Sequence, residues 1–211
     1  MVDAVKRQYD SSRRQEQARE NRRRILQAAH ELFVNRGYGQ TTIADVAAAA
    51  GVAVETVYAA YRNKATLLHR AWDLAVGGDD QDVLLLDRPE LRALLDEPEL
   101  AARLAALAVV NTAIMRRTAA LHVAVRGAAS SEKAAAAMLA EIDRQRLETM
   151  ATHARAAAAT GQLAVSQDEC RDVLWSSTDG TLWYRLVQQS GWTDERYAQW
   201  LGRFWASMLV G

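Results

Sequence analysis

Residues 22–68 read RRRILQAAHELFVNRGYGQTTIADVAAAAGVAVETVYAAYRNKATLL, and the order of helix signals in this stretch decides the fold. Ile25, Ala29, Leu32 and Phe33 recur at helical spacing and give one apolar face. Gly37 then supplies a left-handed C-terminal stop. Thr42 with Asp45 three residues on predicts a capping box, followed by Ile43, Val46, Ala47 and Ala50 at i, i+3, i+4 and i+7. Gly51 permits a tight turn, residues 53–61 predict the next short helix, and Asn63 caps one from Lys64 to about Val76.

The flanks extend this reading. Residues 1–15 are polar and lack periodicity, which predicts a flexible basic arm, with helix building from about Ser12. Gly77-Gly78-Asp79-Asp80 marks a boundary, giving a domain at 16–76 and a second at 77–211. Residues 79–88 read as loop or extended chain, and Pro89 and Pro98 as helix-starting positions. Beyond them the pattern predicts long helices at about 99–116, 118–128, 131–159, 168–188 and 193–209, with Ser166 and Thr193 as caps. No strand alternation and no repeat interrupts them, so the expected fold is all-α.

Half of the 211 residues are apolar and only two are proline, which suits a helical chain with a sizeable core. Net charge is zero, yet residues 1–70 carry 12 Lys/Arg against 7 Asp/Glu. Residues 71–211 carry 14 against 19, so the N-terminal part alone favours a polyanion. The N-terminus lacks an apolar signal core, no long uncharged apolar run predicts a membrane span, and Cys170 has no disulfide partner. A cytoplasmic protein is expected.

Two short helices at a Gly turn, braced by a third, form the geometry that lays one helix in a DNA major groove. Val46, Ala47 and Val52 would make the small core, with Val57 and Tyr61 holding the second helix down. Val54, Glu55, Thr56, Tyr58 and Ala60 are then left facing outward. Thr and Tyr donate to phosphates or base edges, Val meets a thymine methyl, and Glu accepts from cytosine. Lys64 adds charge to the N–H groups of a helix start. No Arg, Lys, Asn or Gln precedes Arg62 in the second helix, so bidentate base contacts are missing from it. Affinity then rests on Lys64 and on Arg13, Arg14, Arg22, Arg23 and Arg24.

On GYGQTTIADVAAAAGVAVETVYAAYRNKATLL, preceded by ILQAAHELF, the chain resembles the TetR family of bacterial transcriptional repressors. The resemblance implies an N-terminal three-helix DNA-binding domain and a C-terminal helical bundle. It implies a homodimer on a palindromic double-stranded DNA operator, released by a small-molecule effector, with no cofactor. Its motif positions make Thr42, Thr56, Tyr58 and Lys64 the backbone contacts and Val54 and Glu55 the base readers. Ala53 departs from the usual Ser, which removes a side-chain cap worth about 1 kcal/mol. Ala60 departs from the usual Tyr or His, removing one DNA contact. DRPELRALLDEPE, AEIDRQRLE and RLVQQSGWTDERYAQWL are similar to one actinobacterial-type branch of that family.

Large apolar faces on the last two helices predict a four-helix dimer interface of Leu174, Leu182, Leu186, Tyr197, Trp200, Leu201, Phe204, Trp205 and Met208, part of which is expected to pack internally against helices 99–159. Met115, His122, Met138, Trp175, Trp183 and Tyr184 are candidates for lining an apolar or aromatic ligand's pocket, with core packing the rival reading and a hydrogen-bonded core histidine expected at 122. Arg116, Arg117 and Arg126 would meet an anionic one. The rival readings are an enzyme and a helical scaffold without a DNA role. No P-loop, HExxH, ExxH or GxSxG occurs, and four scattered histidines with one cysteine predict no metal cluster.

Overall fold

A computed structural model of the chain describes residues 2–78 and 89–211, with side chains described for 16–78 and 91–211. Helix α1 runs Val2–Arg36, so the expected arm at 1–15 is helical from residue 2 onward. Its Arg, Gln and Glu are good helix formers that lack an apolar stripe, which is the signal periodicity needs. The expected loop at 79–88 and the side chains of Arg13 and Arg14 lie outside the described residues.

The end of α1 is closed twice. Gly37, at φ 83°, donates its N–H to the Phe33 carbonyl, and the buried Thr41 hydroxyl contacts the Leu32 and Gly37 carbonyls. Helix α2 (Ile43–Ala50) starts at the expected capping box: the Asp45 N–H donates to Thr42 Oγ1, and the Thr42 N–H donates to Asp45. All four residues of its predicted stripe are buried. Gly51, at φ 64°, turns the chain into α3 (Val54–Tyr61), whose N-cap Ala53 makes no side-chain bond. Helix α4 (Lys64–Gly77) is capped by Asn63, which accepts from the Thr66 N–H at 2.8 Å.

The remaining helices are α5 (Pro89–Asp96), α6 (Leu100–Ala128), α7 (Lys133–Ala158), α8 (Gln167–Ser177), α9 (Thr181–Trp183) and α10 (Asp194–Leu209). The predicted break near residue 117 is absent, because the sequence there holds no Gly or Pro and α6 continues. The single helix predicted over 168–188 is divided. Gly180 takes φ 82°, the Asp179 carboxylate caps Thr181, and the chain resumes as α9 and a π-helical turn at Tyr184–Gln189. Helix α6 is long and apolar enough to cross a membrane by composition, but half of its most apolar window is packed inside the bundle. It is the central strut of the domain: α10 and α7 both pack along it.

The two apolar cores do not follow the boundary at residue 77. One joins α1–α4 to Leu121, Val125, Ala135, Met138 and Ile142, which belong to α6 and α7. The other lies among α5–α10. The second half of α6 and the first half of α7 thus form the floor on which the N-terminal helices rest.

Candidate nucleic-acid interface

The axes of α2 and α3 cross at 111°, within the range for a helix-turn-helix. Val57 and Tyr61 are buried at 0% and 5% exposure and fix α3 to the core, while the Tyr61 hydroxyl reaches the Arg22 carbonyl at 3.4 Å. The opposite face is free: Glu55 and Thr56 are exposed, Tyr58 is 51% exposed, and Val54 is half-buried at its edge. Val57 and Tyr61, four residues apart, share the inward face, and Tyr58 stands one residue round from Val57 on the open side.

Lys64 stands at the start of α4 and is held there. Its ammonium donates to the Tyr38 carbonyl at 2.9 Å and lies 4.2 Å from the Tyr38 ring centre. A lysine so placed has lost much of its rotamer freedom before any phosphate arrives. Thr42 is also engaged, since its hydroxyl donates to Asp45 at 2.6 Å while accepting from the Asp45 N–H. These bonds hold the Asp45 carboxyl below its ordinary range. What α2 offers a phosphate is therefore its first-turn N–H groups more than the Thr42 hydroxyl. Arg22 and Arg23 are exposed on α1, and Arg23 pairs with Glu20 at 3.1 Å.

Sequence reasoning missed the brace behind this surface. Arg24 donates to the carbonyls of Ala50 and Gly51, closing the end of α2 and fixing the turn. Its neighbours Arg22 and Arg23 look the same in the sequence; only the helical period, which turns residue 24 inward beside Ile25, separates them. Arg117 is a second brace. It donates from α6 to the Ala75 and Val76 carbonyls at 2.8 Å each, and its own carbonyl lies 3.3 Å from the His30 ring of α1. A groove of about 600 Å³ beside it, lined by α1, α4 and α6, lies where the reading helices meet the bundle.

The pocket candidates are spread over both apolar cores. Met138 belongs to the core under α1–α4, whereas Met115 and Trp183 are buried in the distal core. Trp175 donates to the Asp143 carbonyl at 3.3 Å and Trp183 to Asp194 at 2.8 Å; Tyr184 is half-buried. His122 is a core histidine: its ring meets Trp72 of α4 edge-on at 5.9 Å, and Arg126 bonds its Nε2 at 3.1 Å. Burial, then the Arg126 and Arg146 charges, pushes it down to about 4, so it is neutral at pH 7. Among the described residues no group of three His, Cys, Asp or Glu comes together to hold a metal.

The expected dimer list divides by helical face. Leu174, Tyr197, Leu201 and Trp205 are fully buried within the chain and cannot contact a partner, because their spacing on α10 and α8 turns them inward. Leu182, Leu186, Trp200 and Phe204 are half-buried, and Met208 is 47% exposed. Trp200 stacks on Phe204 with centres 5.6 Å apart and meets Trp192 edge-on at 6.1 Å. These form an aromatic ladder on the outer side of α10.

Residues 25–71 match the family model described as bacterial regulatory proteins, tetR family. The HTH-type transcriptional regulator TtgR of Pseudomonas putida is 41% identical over 61 residues, a match spanning 29% of this chain and 29% of TtgR. Whole-chain likeness is to solved structures. The regulator FadR of Bacillus subtilis in complex with stearoyl-CoA has a TM-score of 0.68 at 17% identity, over 88% of this chain and 97% of that one. The SmeT–triclosan complex has a TM-score of 0.62 at 20% identity, over 90% and 92%.

Proposed function

We infer, from an N-terminal domain that is of the tetR family, that this chain is a DNA-binding transcriptional regulator. It acts as a repressor, binds a palindromic operator as a homodimer, and is released by a small molecule held in the C-terminal bundle. The observation that carries this reading is the α3 surface. Thr56 and Tyr58 stand exposed on α3, with Lys64 held at the start of α4 and Arg22 and Arg23 exposed on α1.

Thr42, through its helix start, together with Thr56, Tyr58 and Lys64, positions the duplex; Val54 and Glu55 meet the base edges; Arg22 and Arg23 hold phosphates. The outer ladder of Trp200, Phe204 and Met208 with Leu182 and Leu186 supports the homodimer, since apolar surface of this kind marks an interface. Two readers related by a two-fold axis then match two half-sites. Neighbours of the same fold hold triclosan and stearoyl-CoA, which supports an effector in the bundle.

A gel shift with the DNA upstream of the chain's own gene tests the reading. Wild type is expected to retard it, and the double variant Tyr58→Ala, Lys64→Ala to lose at least tenfold in affinity. Undiminished binding by the double variant would overturn the site assignment.

A further inference from the structure

The bundle keeps a cation among apolar neighbours near the start of α6. Arg103 lies in the first turns of α6 beside Leu100, Leu104 and Leu107, and is 5% exposed. Its Nε and Nη2 both donate to the Glu97 carbonyl just beyond α5, while the sealed Nη1 has no partner. No carboxylate among the described residues pairs with it, whereas the half-buried Arg146 of α7 is met by Asp143. Helix α7, packed along α6, carries His153, 4% exposed and with its Nδ1 also sealed and unpartnered. Burial, and then the Arg103 charge, holds this imidazole down at about 4, so the pair carries a single positive charge at pH 7.

A guanidinium in low dielectric is costly unless a counter-charge meets it, and uncharged Leu or Met would pack this position without that cost. Closing the end of α5 accounts for Nε and Nη2. It leaves Nη1, the net charge and the orphaned His153 nitrogen without a role. Leu91, Leu94, Leu104, Leu107 and Met150 belong to the same apolar core. An anion with an apolar body would find its charge and its hydrocarbon matched at one place.

We propose that Arg103 and His153 form the anion-binding end of the effector site, taking the carboxylate of a small apolar monoacid. The proposal rests on the effector-responsive reading above and names the ligand class for it. One carboxylate oxygen accepts from Arg103 Nη1, and the other accepts from His153 in its Nδ1–H tautomer. A single cation beside a neutral imidazole suits a singly charged head. Both nitrogens are closed off in this conformation, so the acid enters by shifting α5, the short helix whose Leu91 and Leu94 cover this end.

Thermal shift at pH 7 tests it with octanoate and benzoate against octanamide and benzamide, on wild type, Arg103→Gln, Arg103→Lys and His153→Gln. At least one acid is expected to raise the wild-type melting temperature by a few degrees while its amide does not. Arg103→Gln should abolish that shift, with Arg103→Lys and His153→Gln weakening affinity at least tenfold and deciding the matter if the first variant fails to fold. Equal shifts by acid and amide, full response in the variants, or no shift by either acid would each overturn the proposal. A gel shift without any acid keeps the two readings apart. Operator binding with no acid response sinks only the carboxylate site, whereas absence of DNA binding sinks the regulator reading.

Discussion

Arg24 holds carbonyls 26 and 27 residues further along the chain, and its value follows from what those carbonyls lack otherwise. Residues at the end of a short helix have no intrahelical donor, so Arg24→Ala should cost about 1–2 kcal/mol in urea unfolding. It should weaken DNA binding at the same time, because the turn it fixes sets the angle of α3; unchanged stability would contradict this bracing role. Ala53 offers the converse test. It already sits in extended backbone at the N-cap of α3, at φ −68° and ψ 149°, and lacks only an oxygen. Ala53→Ser should therefore add about 1 kcal/mol, read as a higher urea midpoint at constant slope. His122 and His153 set the acid limit. Both are held near 4 in the folded chain against an ordinary 6.5, so between those values the unfolded chain binds more protons. Stability should be level above pH 6.5 and fall as pH drops towards 4, by on the order of 2 to 3 kcal/mol per histidine. A flat profile from pH 7 to 5 would count against their burial. Thr42–Asp45, Asn63, Ser166 and Thr193 were legible because each cap acts within three residues. Arg24, Arg117, Arg103 and the Lys64–Tyr38 contact were not, since their partners are chosen by folding.

Helix α10 lies so close to α6 that Gly202 has no room for a side chain. A Cβ there would stand 3.0 Å from Ala105 Cα and 3.6 Å from the Cβ atoms of Ala105 and Ala108. Backbone cannot yield as a side-chain tip does, so Gly202→Ala should destabilise by about 1–3 kcal/mol despite better helix propensity. A gain in urea midpoint would show that the helices can separate freely. Helix α3 makes a different prediction, because it carries no Arg, Lys, Asn or Gln. Binding then leans on phosphates met by its neighbours, and log affinity against log salt should fall with a slope of at least about −5. A shallow slope would mean that base contacts dominate after all. Periodicity, together with the caps, revealed α2, α3 and α4 and which face of α2 is buried. It joined α8 to α9 wrongly, because the break at Thr178–Gly180 depends on Asp179 capping Thr181 and on Gly180 fitting against Met115. It also assigned Tyr197, Leu201 and Trp205 to a partner, since an apolar stripe is silent about whether its cover comes from the same chain.

For the whole molecule, the outer ladder is the test of assembly. Trp200→Glu with Phe204→Glu should leave the fold intact, since both are only half-buried, yet reduce the mass seen by light scattering to one chain. An unchanged mass would place any dimer contact elsewhere. The end of α4 was visible from the Gly77-Gly78 break. The floor provided by Leu121, Val125, Ala135, Met138 and Ile142 was not, because it is contributed from beyond that break. That floor has a thermodynamic consequence. The N-terminal helices have no complete interior of their own, so they should not melt as an independent unit, and calorimetry should record one cooperative transition rather than two. A molecule that tightens the distal bundle would then also slow amide exchange in α2 and α3, far from where it binds.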